Sequence, residues 1–212
     1  MALDFALPML AHARRRGRWL RRPQCVCGDL DQLPVASQSV DLVFSSAALQ
    51  WSQDAAGALT EMHRVLRPGG LLMFSSFGPD TLKELRQAWS EVDGYPHVHG
   101  FLDMHDYGDM LMSAGFADPV MDCEQLRLTY PEIAPLMRDI KAIGASNAAP
   151  QRARGLTGRA RLRALGEVYE RFRDADGRLP ATYEAVYGHA WGAEQRRQGA
   201  EVLVPLDSLQ RR

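Results

Sequence analysis

Between residues 28 and 77 strand and helix patterns follow one another in an order that leaves few folds open. The segment opens at Gly28-Asp29, and Ser39-Val40-Asp41-Leu42-Val43-Phe44 then reads as a strand: β-branched and aromatic residues bounded by polar ones. Asp54 can cap a helix on which Leu59, Met62, Val65 and Leu66 recur at helical spacing. Arg64-Val65-Leu66-Arg67-Pro68-Gly69-Gly70 ends that helix, and Leu71 to Phe74 begins another strand. Strands separated by helices pair in parallel, with helices covering both faces of the sheet.

Upstream, Ala2-Leu3-Asp4 reads as the tail of a strand, Pro8 to Arg16 as a helix and Gln24 to Cys27 as a short strand. Downstream, helices are expected over Asp80 to Val92 and Asp106 to Ala114, and a strand over Val120 to Tyr130. Residues 131–180 read as largely helical. Thr182 to Trp191 alternates, with Tyr183, Tyr187, His189 and Trp191 on one face, and is expected to return as a last, antiparallel strand. These patterns divide the chain into one domain, 1–192, and a polar tail, 193–212.

Nearly half of the 212 residues are apolar, enough for one substantial core. A net charge of -1 gives no global attraction to nucleic acid or an anionic membrane. The basic stretch Arg152 to Arg163 lacks the interleaved aromatics of single-strand binders. Three cysteines, an odd number, fit a reducing compartment. The apolar N-terminus has its arginines after it, the wrong order for a secretory signal, and no run approaches the roughly 18 apolar residues of a membrane span. A cytoplasmic protein is expected, binding neither nucleic acid nor membrane.

In an open parallel sheet, ligands lie outside the carboxyl ends of the strands. Asp4, Asp29 and Ser45 sit at such ends; each could equally be a turn residue or a helix cap. Their order, together with Asp41-Leu42-Val43 and Arg64 to Gly70, resembles the class I S-adenosylmethionine-dependent methyltransferases. That resemblance implies that Asp4 accepts from ribose hydroxyls, that Asp29 accepts from the adenine amine, and that the Leu30 backbone meets the ring edge. The fold class it implies is α/β, a truncated Rossmann-like methyltransferase sheet with a helical insertion between the last two strands.

Further motifs narrow the resemblance. Phe77-Gly78-Pro79-Asp80-Thr81-Leu82, Phe101-Leu102-Asp103-Met104-His105-Asp106-Tyr107-Gly108-Asp109, Lys141 to Ala145, Gly155 to Gly158 and Thr182 to Trp191 are similar to the malonyl-acyl-carrier-protein O-methyltransferases of biotin synthesis. The glycine-rich loop and first strand of that family are not among these residues, so the chain reads as truncated at its front. Ser46 stands where an asparagine would be common.

The implied reaction moves a methyl group from S-adenosylmethionine to the free carboxylate of a malonyl thioester, carried on acyl carrier protein or coenzyme A. A carboxylate is anionic near neutral pH, so no general base is needed, and no catalytic residue is assigned. A cation should hold it: Arg138, Lys141, Arg152, Arg154 and Arg159 of the insertion are the candidates, since that segment would cover the site. Tyr130 and Tyr187, with His189 and Trp191, could line the acceptor pocket or belong to the core. His97, His99 and His105 near Asp103 and Asp106 match no tight metal-ligand spacing, so no metal is expected and capping or loop packing is. Two other readings remain: a methyltransferase with another small acceptor, and a non-catalytic remnant or carrier-protein binding module.

Overall fold

A computed structural model of the chain describes residues 1–16, 22–142 and 158–193. Strand and helix alternate through β1 (Ala2–Asp4), α1 (Leu7–Arg16), β2 (Cys25–Cys27), β3 (Val40–Ser46), α2 (Ala55–Val65), β4 (Leu66–Phe77) and α3 (Lys83–Val92). Then come α4 (Met104–Ser113), β5 (Phe116–Tyr130), α5 (Ile133–Ala142), α6 (Arg159–Tyr169) and β6 (Leu179–Gly192). The helical insertion between the last two strands is thus α5 and α6. Among the described residues no helix is long and apolar enough to cross a membrane.

The strands form two groups. β1 pairs with β2 in parallel, Ala2 opposite Cys25 and Asp4 opposite Cys27. The larger sheet has the order β3-β4-β6-β5. Its β3 and β4 are parallel, while β6 runs antiparallel to both neighbours, His189 lying opposite Met73 on one side and Val120 on the other.

Two boundaries differ from the sequence expectation, for identifiable reasons. β4 begins at Leu66 rather than after Gly70, because Val40 pairs with Leu66 and the N–H groups of Gln38 and Ser39 donate to the carbonyls of Arg64 and Val65. Residues 67–70 bulge out of the ladder, with Gly69 at φ +74° making the turn. α3 begins at Lys83 rather than Asp80, because Leu82 is left-handed at φ 54° and its N–H donates to the Thr182 carbonyl at 2.6 Å.

α2 and α4 cover one face of the larger sheet. Leu59, Met62, Tyr107 and Leu111 are buried there with Leu72, Phe74, Val186 and Ala190. A second cluster joins α3, α5, α6 and the start of β6 through Leu85, Trp89, Leu136, Leu165, Tyr169 and Ala181. The expectation of helices on both faces of the larger sheet holds only in part, since α3, α5 and α6 meet its other face at the start of β6, through Leu179 and Ala181, and leave the rest open among the described residues. Leu42 and Phe44 are 54% and 69% exposed on its other face, in rows with Leu71, Met73 and Trp191, and α1 packs on β1 and β2 instead.

Candidate functional site

The loops at the carboxyl ends of β1, β2 and β3 are tied together by hydrogen bonds. Asp4 Oδ1 accepts the Ala6 N–H at 2.7 Å, and the Gly28 N–H donates to the Asp4 carbonyl at 3.2 Å. Gly28 must lack a side chain, since a Cβ would lie 2.6 Å from Pro34 Cδ. Asp29 is exposed and its Oδ1 accepts the Asp31 N–H at 3.0 Å, while Leu30 packs partly buried against the core. Asp31 accepts in turn from Ser52 Oγ at 2.5 Å and from the Gln53 N–H at 3.3 Å. That pins the β2 loop to the single 3-10 turn Leu49–Trp51 that follows β3.

Ser45 is 7% exposed near the end of β3, and its hydroxyl has no hydrogen-bond partner among the described residues. An enclosed hydroxyl without a partner is uncommon in folded chains. Asp4 and Asp29 each commit one oxygen to a backbone N–H two residues on. Their second oxygens have no partner among the described residues.

Next to the 3-10 turn opens a cavity of about 670 Å³. Gln50 and Trp51 form its near wall with Phe77 from the end of β4, and Leu85 and Trp89 of α3 line it with Tyr183 of β6. Met137, Arg138, Ile140 and Lys141 come from α5 and Leu162 from α6. The loop before α4 adds His97, Val98, His99 and Phe101. The lining is mainly apolar, as a site that excludes water requires.

A clamp between the 78–84 segment and β6 sets the wall's shape. Glu184 accepts the Asp80 N–H at 2.8 Å, and Thr81 Oγ1 both donates to the Glu184 carbonyl and accepts its N–H. Glu84, 8% exposed, accepts the Thr182 N–H at 3.1 Å and the Thr182 hydroxyl at 2.5 Å. Leu82, held left-handed by this clamp, lines the cavity. Burial, then the neighbouring Tyr130 and Asp139, pushes the Tyr183 phenol up to about 12.

The substrate candidates separate in space. Arg138 and Lys141 line the cavity from exposed positions on α5, and neither has an ion-pair partner among the described residues. Arg159 is exposed in the first turn of α6, and Arg152 and Arg154 lie outside the described residues. Tyr130 is 9% exposed within the second core cluster, where burial and then the neighbouring Asp139 raise its phenol. Tyr187 stands on the bare sheet face, 42% exposed. Neither it nor Arg159, Tyr130, Asp4, Asp29, Leu30 or Ser45 lines the cavity.

Gln50, Trp51, Trp89 and Phe101 line the cavity without having been singled out for it from the sequence. The one signal available was the alternation of Tyr95-Pro96-His97-Val98-His99, which suggests two imidazoles on one side of an extended loop. Asp103 caps α4 in a capping box with Asp106, and His105 Nδ1 lies 2.6 Å from Asp103 Oδ1. Among the described residues no group of three or more His, Cys, Asp or Glu is placed to hold a metal ion.

Residues 1–74 match the family described as Methyltransferase domain. The chain is also 51% identical, over its whole length, to the malonyl-acyl-carrier-protein O-methyltransferase of Halorhodospira halophila, of which it covers 73%. The chain belongs to this O-methyltransferase family. The malonyl-acyl-carrier-protein O-methyltransferase of Laribacter hongkongensis is 56% identical over 89% of the chain and 64% of its own length. The general domain match ends inside β4, whereas the likeness to these O-methyltransferases runs on through the segments that build the cavity. A solved structure from Bacillus halodurans, described as a methyltransferase, superposes with a TM-score of 0.63 over 91% of this chain and 82% of its own. At 18% identity it bears on the fold alone.

Proposed function

We propose that this O-methyltransferase transfers the methyl group of S-adenosylmethionine to the free carboxylate of a malonyl thioester, presented on acyl carrier protein or coenzyme A, in biotin synthesis. The observation that carries the reading is the apolar cavity beside the 3-10 turn after β3, with Arg138 and Lys141 at its rim. An anionic group on an elongated arm fits such a pocket, since its body is apolar and its rim positive.

The residues at the strand ends suit the cofactor. Asp4 and Asp29 each keep one carboxylate oxygen for a hydroxyl or amine donor, and Ser45 offers a hydroxyl without a partner among the described residues. When bound, S-adenosylmethionine supplies an electrophilic methyl on a positive sulfur. The protein then has to orient the acceptor and keep water out, since the acceptor carboxylate is already ionised. Trp51, Phe77, Leu85 and Trp89 exclude water, and the hydrogen-bonded Asp31 fixes the turn where cofactor and acceptor would meet. Arg138 and Lys141 draw an anionic acceptor toward the mouth.

The test is to incubate the purified chain with methyl-labelled S-adenosylmethionine and, separately, malonyl-acyl-carrier protein, malonyl-coenzyme A and free malonate. Label should appear as a base-labile methyl ester on a malonyl thioester and not on malonate. Absence of transfer to both thioesters, by a folded chain that binds S-adenosylhomocysteine, would refute the reading.

A further inference from the structure

The proposed transfer needs no proton shuttle, yet an imidazole is built into the cavity wall with elaborate support. The His97 ring stacks on Trp89, centroids 3.7 Å apart and planes 12° from parallel. Its Nε2 lies 2.8 Å from Asp93 Oδ1, which also accepts the Tyr95 N–H at 3.1 Å. Arg161 of α6 approaches the other Asp93 oxygen at 3.6 Å. Both members of the pair are largely enclosed, with side chains 13% and 10% exposed. Burial would raise the Asp93 carboxyl, but the Tyr95 N–H, His97 and Arg161 together hold it below the usual carboxylate range.

With Nε2 committed to Asp93, Nδ1 is the remaining nitrogen of a ring that lines the cavity, and it has no hydrogen-bond partner among the described residues. Two other polar side chains of the wall are enclosed or committed. His99 Nδ1 is sealed off, and the Gln50 amide nitrogen donates to the Ala47 carbonyl at 2.7 Å. Arg138 and Lys141 are exposed, so water competes for any carboxylate that they hold.

We propose that His97, held by Asp93, donates a hydrogen bond from Nδ1 to the free carboxylate of the acceptor inside the cavity, leaving Arg138 and Lys141 to act at the mouth. This rests on the carboxylate-acceptor reading above. Arg161, Asp93, His97 and the acceptor carboxylate form a row in which nitrogen groups alternate with carboxylates, and the acceptor completes it. A single N–H engages one carboxylate oxygen and leaves the other free to react, whereas a guanidinium fork would take both. Asp93 is a positioning residue in this arrangement, since it acts on the acceptor only through His97.

The test is an equilibrium titration read by the fluorescence of Trp51 and Trp89, which line the cavity. Without cofactor, the chain is titrated with malonyl-pantetheine and with butyryl-pantetheine, which has an ethyl group of similar size in place of the carboxylate. The native chain should prefer the malonyl ligand by about tenfold or more, as expected for a charge-assisted hydrogen bond. His97→Phe, which keeps a ring against Trp89, should bring the preference to within about threefold. His97→Gln, with a neutral donor, should fall between the two, and unchanged thermal unfolding of either variant secures the comparison. Retained preference in both His97 variants overturns the inference, as does its loss on Arg138→Ala or Lys141→Ala alone. A native chain that binds both ligands equally would sink the carboxylate-acceptor reading and this inference together. Methyl transfer to malonyl thioesters that survives in His97→Phe with its preference intact would remove the inference alone.

Discussion

Replacing Glu84 by alanine should cost more stability than its position on a short helix suggests. Its carboxylate is 8% exposed, has no ion-pair partner among the described residues and accepts two hydrogen bonds from Thr182, at 3.1 and 2.5 Å. Hydrogen bonds to a charged group each contribute about 1.5–3 kcal/mol, and the buried Thr182 N–H would be left without its acceptor. Relief from burying a carboxylate offsets part of this loss, so we expect a net cost of about 3 kcal/mol. For a chain of this size that lowers Tm by roughly 6–12 °C. Urea unfolding of native, Glu84→Ala, Thr182→Val and doubly substituted chains supplies the measurement. Thr182→Val removes only the hydroxyl, so the two changes should be non-additive by about 1 kcal/mol. Strict additivity, or a Glu84→Ala cost under about 1 kcal/mol, would show that the carboxylate does not clamp α3 to β6.

Three further outcomes are expected. Gly188→Ala should destabilise by about 1–3 kcal/mol in urea unfolding. The added Cβ would overlap the Phe74 ring edge and lie 2.9 Å from Met121 Sδ, so an unchanged midpoint would count against the tight β6 packing. The Arg64 guanidinium, helped by the Leu33 N–H and opposed by burial, holds the Glu61 carboxyl below its usual range. A depressed folded-state value stabilises the fold above the unfolded-state value and ceases to do so as pH falls through the folded one. The stability gap between native and Glu61→Gln should therefore be present at about pH 7 and shrink toward about pH 3. Ultraviolet titration should show a phenolate step near 12 that loses one tyrosine's amplitude in Tyr183→Phe, while the raised phenols of Tyr107, Tyr130 and Tyr169 remain.

The parts of the fold legible in sequence are those fixed by local chemistry. Asp54 caps α2 by accepting the Gly57 N–H, and the apolar run after Gly70 lies in a strand, because capping and alternation act over a few residues. Leu82 could not be foreseen as left-handed, since nothing about leucine favours that region; Thr182 and Glu184, a hundred residues away, hold it there. Tyr183 and Tyr187 share one face by alternation, yet one lines the cavity and the other stands on the bare sheet. Which neighbour covers each stretch of a 14-residue strand is decided by the inserted helices, not by the strand itself. The cavity draws on residues from Gln50 to Tyr183, and no linear spacing encodes such a gathering.

β6 lies between β4 and β5, although it is the last strand of the described chain. Until Gly192 has left the ribosome, the 15 residues of β5 have no strand to pair with, and one edge of β4 is open. Closure of the sheet therefore waits for β6, and it is slow because its contacts are remote in sequence. The nascent chain meanwhile presents two unpaired strand edges, the surfaces on which β proteins aggregate. The same late event brings Thr182 and Glu184 to the 78–84 segment, so the cavity takes shape only as the sheet closes. A ribosome stalled before β6 should hold a chain with its first helices formed and no pocket for an acceptor, and yield after release should depend on chaperones that shield those edges.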